Sequence, residues 1–159
     1  MADSVFNIAK GRTVELYNRV KSNDPAPSAF IVVILQATGL ESHATLQDYD
    51  NLDAILAAAN NEATNSGYAR KVLTDAELAA LPAPDDTNNR YDVDIPDQTW
   101  SAVQAAGGAW GMLLICYDAN TGAGADTDIL PLTMHDFAVT PDGSDIVAVV
   151  NAAGFFRAA

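Results

Sequence analysis

The sequence is poor in three features, and each scarcity excludes a class of protein. It has one cysteine, Cys116, so no disulfide can form within the chain. Its longest apolar run, residues 29–35, is far shorter than the roughly 20 residues of a membrane-spanning helix. Eight Lys and Arg face 21 Asp and Glu, a formal net charge of −13. Such a chain is repelled by phosphate backbones and anionic lipids, so we expect neither nucleic acid nor a membrane as partner.

The few cations are unevenly distributed along the chain. Residues 1–24 carry four of the eight and a net charge of +1, whereas residues 25–159 hold four cations and eighteen acids, a net charge of −14. Two prolines, Pro25 and Pro27, separate these parts. We therefore expect an N-terminal arm, or a helix or strand extension, over residues 1–24 and a single β-rich domain over 25–159. The apolar residues of 5–22 fit a helical face and a strand equally well.

The rest of the pattern is dominated by strands and turns. Residues 29–37 and 110–117 are almost wholly apolar, as in strands buried on both faces. Tyr91, Val93 and Ile95 alternate with acidic or proline positions. Residues 140–144 contain Pro, Asp and Gly in the order typical of a tight hairpin turn. Residues 146–150 are therefore expected to form a strand antiparallel to 135–139. Only residues 52–59 and 74–81 predict short helices, the second from the capping box Thr74 and Glu77. The fold class expected is mainly β (α+β), an antiparallel sandwich or jelly roll.

The residues that could support chemistry are few. The two histidines, His43 and His135, stand in a polar turn and in a strand, and no G-x-S-x-G elbow accompanies them. We therefore expect no catalytic residues, no enzyme activity and no cofactor. The weak candidates for a calcium site are loop residues, Asp118, Asn120, Asp126 and Asp128. They depart from the EF-hand pattern, because Gly122 takes a ligand position and Ile129 replaces the closing glutamate.

Several motifs are similar to those of one protein family. They are residues 65–71 (NSGYARK), 96–100 (PDQTW), 114–118 (LICYD), 131–133 (PLT) and 135–137 (HDF). They resemble small structural proteins encoded among the head and tail genes of tailed bacteriophages, including jelly-roll modules of fibre and capsid-decoration proteins. The resemblance covers about residues 60–157, and residues 6–12 are also similar. The resemblance implies a jelly-roll fold and a place in the virus particle. The family has no catalytic residues that could be assigned to this chain.

These observations predict a virion structural protein, most directly a capsid decoration or cement protein that binds the major capsid protein, forms homo-oligomers and assembles in the host cytoplasm. A tail or head-fibre component is the alternative within the structural class. A calcium- or carbohydrate-binding β-sandwich module is the alternative outside it. Deletion of residues 2–22 is expected to leave a folded body that no longer joins particles. The candidate contact residues lie near the two ends of the chain: Phe6, Ile8, Lys10, Arg12, Arg19, Lys21, Phe155, Phe156 and Arg157.

Overall fold

A computed structural model describes residues 3–159 and is mainly β, as the sequence predicts. Within these residues there are nine strands and four short α-helices. The strands are β1 (Asp3–Val5), β2 (Ala29–Gln36), β3 (Lys71–Leu73), β4 (Tyr91–Val93), β5 (Gln98–Trp100), β6 (Trp110–Asp118), β7 (Leu130–Val139), β8 (Ile146–Ala148) and β9 (Phe156–Ala158). The helices are α1 (Thr13–Lys21), α2 (His43–Leu46), α3 (Leu52–Ala57) and α4 (Asp75–Leu78), so the expectation of two was too few.

The main sheet has five antiparallel strands in the order β1-β7-β6-β2-β3. Its central strands β2 and β6 are the two apolar runs of the sequence, and they are buried along almost their whole length. Leu113 and Ile115 of β6 face the same side of the sheet as Val32 and Ile34 of β2, which stand directly opposite them. Because both faces of these strands are largely covered, nearly all of their side chains are buried.

Two smaller antiparallel sheets complete the strand architecture: β4 with β9, and β5 with β8. The expected hairpin between 135–139 and 146–150 is therefore wrong. Strand β8 pairs with β5, setting Ile146 opposite Trp100 and Ala148 opposite Gln98. The physical reason lies in the turn segment before β8: Val103, which follows β5, donates its amide to Ser144 O and accepts the Gly143 amide, and this places residues 146–148 beside β5.

The N-terminal segment is part of the core. Phe6 is fully buried, and so are Tyr17 and Val20 of α1. The Tyr17 ring packs against Phe30 of β2 at 5.9 Å and against Tyr91 of β4 at 5.8 Å between ring centroids. Residues 13–21 are thus a helix, which decides between the two alternatives for 5–22. Residues 3–24 do not stand apart from the domain as a free arm.

Side-chain caps begin three of the short helices. The Asn51 side chain accepts a hydrogen bond from the Ala54 amide at the start of α3. Thr74 and Glu77 form the predicted capping box of α4. The Ser42 side chain caps α2, a helix that the sequence pattern did not indicate.

Candidate functional site

An apolar cavity of about 660 Å³ lies between one face of the main sheet and the chain segment that follows β8. Its sheet side is formed by Leu113 and Ile115 of β6 and by His135 and Phe137 of β7. The remaining lining comes from Asp3, Ile95, Gln98, Asp136, Val147, Ala148, Val149, Val150, Asn151, Gly154 and Phe155. The size falls within the range of about 300–1,000 Å³ that is usual for ligand pockets.

The cavity opens to solvent beside two exposed valines. Val147 is 47% exposed and Val149 is 76% exposed, although both belong to the cavity lining. Their neighbours Ile146 and Ala148 point inward and are buried. Val72 of β3 is the other large apolar side chain that is strongly exposed among residues 3–159, at 50%. The mouth of the cavity is therefore an unusually apolar part of the described surface.

Gly154 allows the C-terminal segment to close over the sheet. Its φ of +77° is readily adopted by glycine, and a Cβ at this position would collide with the backbone of Val93. The next residue, Phe155, donates its amide to Val93 O at 3.0 Å. The Phe155 ring then meets Phe30 edge-on at 6.1 Å and His135 at 6.4 Å. A tight backbone approach thus positions an aromatic wall of the cavity.

The electrostatic surroundings of the cavity are acidic. The lining contains Asp3 and Asp136 and no Lys or Arg, although the Asp136 carboxylate binds His43 on the opposite face of the sheet. The Asp97 carboxylate accepts the Val150 amide at 2.8 Å, next to the cavity. Burial and the neighbouring Asp97 and Asp92 raise the pKa of Asp94 above its ordinary value. A cation at the cavity mouth would therefore be attracted, and an anion would be repelled.

Both histidines of the chain hold strand β1 on the main sheet. On the cavity face, His135 Nδ1 lies 3.0 Å from Asp3 Oδ1, and His135 Nε2 lies 2.9 Å from Thr133 Oγ1. On the opposite face, His43 Nδ1 lies 3.0 Å from Ser4 Oγ, and His43 Nε2 lies 2.7 Å from Asp136 Oδ1. The convergence of Ser4, His43 and Asp136 was not expected, because 39 and 93 positions separate the bonded pairs in the sequence.

The proposed calcium ligands do not come together. Asp126 binds Arg70 through two hydrogen bonds, of 2.5 and 2.9 Å, and these lower the pKa of Asp126. Asp118 accepts the Asn120 amide, and Asn120 accepts the Gly122 amide, so both serve the turn itself. Asp128 is exposed at the end of the short 3-10 helix 126–128. No group of three acidic, His or Cys side chains in residues 3–159 is placed to hold a metal ion.

Arg70 is instead the centre of an ionic network that is linked to strand β2 through Tyr68. Besides Asp126, it binds both carboxylate oxygens of Glu62, at 2.8 and 2.6 Å. Tyr68 donates its hydroxyl to Glu62 at 2.8 Å and accepts the Ile34 amide at 3.1 Å. Burial is the largest cause that raises the pKa of Tyr68. Tyr68 and Arg70 belong to one of the motifs on which the family resemblance depends, and their role here is structural.

The N-terminal contact candidates divide into buried and exposed residues. Phe6 is fully buried, and Ile8 is partly buried against the core. Lys10 and Arg12 are exposed. Arg19 pairs with Glu15 at 2.9 Å, and Lys21 donates to the carbonyl groups of Leu81 and Pro82.

The C-terminal candidates have different positions. Phe156 begins β9 opposite Val93, Phe155 lies in the cavity wall, and both are partly buried against the core. Arg157 is exposed and binds Asp92 Oδ1 at 2.5 Å. The sequence interpretation missed Val147 and Val149, although their alternation with Ile146 and Ala148 is the signal that indicates an exposed apolar edge.

Comparison with known proteins does not assign this chain to a family. No protein-family model, no curated protein and no solved structure matches the chain at a significant level. Among the described residues, no helix has the length and apolar character needed to span a membrane.

Proposed function

We propose that this protein is a structural subunit of a virus particle, a decoration or cement protein that binds the major capsid protein. The observation that carries the proposal is the apolar cavity with its exposed rim of Val147 and Val149. Exposed apolar groups grouped around a concave site are typical of surfaces that bind other proteins. The resemblance of residues 60–157 to phage structural proteins supports the virion as the setting.

The composition of the surface supports assembly. Charged residues make up 18% of the chain, below the roughly 25% of ordinary soluble domains. Fewer charges have to lose their water when such a surface is buried against a partner. The same proposal includes the formation of homo-oligomers, a β-sandwich or jelly-roll arrangement of the combined sheets, and assembly in the host cytoplasm. A fibre component remains the alternative, and a sedimentation coefficient typical of an elongated trimer would favour it.

The proposal is tested with particles that lack this protein. Purified protein is added to them, and the bound fraction is measured by co-sedimentation. We expect Val147→Asp to weaken binding at least about tenfold, because it places a charge in the apolar rim. The matched control is Val72→Asp, which makes the same change at a valine of nearly equal exposure on β3. Equal binding by both variants, with unchanged melting temperatures, would remove the cavity as the contact site.

A second candidate function, ester or amide hydrolysis, is favoured by one observation. Ser4, His43 and Asp136 form a hydrogen-bonded Ser-His-Asp chain, in which Ser4 contacts Nδ1 and Asp136 contacts Nε2, the reverse of the ring positions in the usual serine-hydrolase triad. In that chemistry Ser4 Oγ would attack an ester carbonyl while His43 takes its proton and then passes it to the departing alcohol. Water would release the acid in a second step. A fluorophosphonate probe that labels wild-type protein and Ser42→Ala, but not Ser4→Ala, is the result this candidate requires. No labelling of Ser4 would eliminate it.

A further inference from the structure

The cavity lies beside a strand that has an unpaired edge. Strand β8 belongs to a two-stranded sheet, and its only strand partner among residues 3–159 is β5. Its other edge presents backbone donors and acceptors that no strand of the described chain uses. Val147 is exposed on this strand, and Val149, just beyond it, is more exposed still. An open edge of this kind is a template for the addition of an extended peptide segment.

The combination of edge and cavity indicates how a segment would be recognised. In strand addition the backbone supplies hydrogen bonds, and a pocket beside the edge takes alternate side chains. Here residues 147–150 form part of the pocket wall, and the apolar floor is made by Ile95, Leu113 and Ile115. The pocket therefore suits one or two apolar side chains of an extended segment, with the residues between them pointing toward solvent.

The charge around the cavity distinguishes between the possible binding partners. The cavity lining contains no Lys or Arg, the Asp3 carboxylate lies on the cavity face, and the Asp97 carboxylate accepts the Val150 amide beside it. Asp3 contacts His135, so this carboxylate is held in place by the sheet. A second copy of the same surface would bring like charges together, which opposes a dimer through this face. A segment with Lys or Arg between its apolar residues would complement it.

We propose that an extended segment of a partner protein, with apolar residues alternating with Lys or Arg, adds along β8 and places an apolar side chain in the cavity. This inference depends on the proposed function for the identity of the partner as a virion protein. It does not depend on that function for the chemistry of the segment.

The main experiment is site-specific crosslinking on assembled particles. Val149 is replaced by the photoreactive residue p-benzoylphenylalanine, the particles are irradiated, and the crosslinked peptide is identified by mass spectrometry. Val72 carries the same replacement as the control. We expect Val149 to crosslink to an extended, Lys- or Arg-containing segment of a capsid protein, and Val72 not to do so. A crosslink to another copy of this chain, to a helical or acidic segment, or to nothing would overturn the inference while leaving particle binding intact.

A second measurement separates this inference from the proposed function. Purified protein is titrated with short peptides that alternate Lys with Val, Lys with Ser, or Glu with Val. We expect the Lys-Val peptide to bind at least about tenfold more tightly than the other two. Val147→Asp and N-methylation of the peptide backbone should each reduce that affinity. Equal affinity of the three peptides, or no binding by any, would overturn the inference, whereas absence of the protein from particles would overturn only the proposed function.

Discussion

Asp3 Oδ1 lies 3.0 Å from His135 Nδ1, and this contact holds the first described strand onto the cavity face of the main sheet. The next residue of the same strand, Ser4, is held on the opposite face by His43. Directly opposed residues share a face, so Asp3 lies over His135 while Ser4 lies over Met134. Strand β1 has only three residues, too few for its backbone hydrogen bonds alone to keep it on the sheet edge. Side-chain contacts on both faces of the sheet therefore hold it in place.

We predict that Asp3→Ala loosens β1 without unfolding the domain. The Asp3 side chain is 57% exposed, so loss of its contact should cost less than about 1 kcal/mol of stability. Hydrogen exchange should show faster exchange at the β1 amides and unchanged exchange in β2 and β6. Asp53→Ala, an exposed change on α3, is the control. Unchanged exchange at the β1 amides would show that the backbone hydrogen bonds of β1 and the burial of Phe6 hold the strand without the Asp3–His135 contact.

We predict that Phe6→Ala destabilises the whole domain by about 3–5 kcal/mol, because a fully buried ring is lost and a cavity remains. Lys10→Ala, a change at an exposed position nearby, should cost little. Urea unfolding followed by circular dichroism measures both.

By the same reasoning, deletion of residues 2–22 should prevent folding, since it also removes Leu16, Tyr17 and Val20. A truncated protein with a cooperative unfolding transition would contradict this conclusion.

We predict that Asp126→Asn lowers stability near pH 7 by about 1 kcal/mol, an amount limited by the partial exposure of the pair. Arg70 lowers the pKa of Asp126 in the folded protein, whereas the unfolded value is about 3.9. The contribution of the ionised carboxylate is therefore complete above about pH 5 and is lost as the pH falls through the folded pKa. The difference between wild type and variant should accordingly shrink in acid.

Asp128→Asn provides the comparison for this prediction, because Asp128 lies two residues away and is exposed. Thermal unfolding at a series of pH values measures all three proteins. A stability difference for Asp126→Asn that stays constant from pH 7 to strongly acidic conditions would contradict the role of the ionic contact with Arg70.

We predict that Cys116 does not react with thiol reagents in the native protein. It is fully buried in β6, and burial raises the pKa of its thiol. Labelling with a thiol-reactive chromogen should begin only when denaturant unfolds the chain, and its midpoint should match the loss of circular dichroism. Rapid labelling without denaturant would show that β6 opens locally.

Much of the local structure could be predicted from the sequence. The apolar runs become β2 and β6, and Thr74 with Glu77 caps α4. The alternation of Tyr91, Val93 and Ile95 also appears as predicted, with all three side chains buried. These features depend on neighbouring residues and on side-chain period, which a short stretch of sequence contains in full.

Other features depended on contacts between distant parts of the chain. Residues 146–148 form a strand, but they pair with β5 because Val103, just after β5, binds the backbone of residues 143 and 144. Asp126 resembled a metal ligand until Arg70 was seen to bind it across 56 positions of sequence. The cavity likewise requires β6, β7 and the C-terminal segment to be assembled before it exists.

The sequence by itself determined that this is an acidic, mainly β chain without a disulfide, and it located the strands that form the centre of the core. The tertiary structure alone decided which strand edges are paired and which charges meet, and it alone created the cavity beside Val147 and Val149. The reason is physical. Periodicity and capping are properties of adjacent residues, whereas edges, ion pairs and concave surfaces arise only when segments remote in sequence compete for the same neighbours.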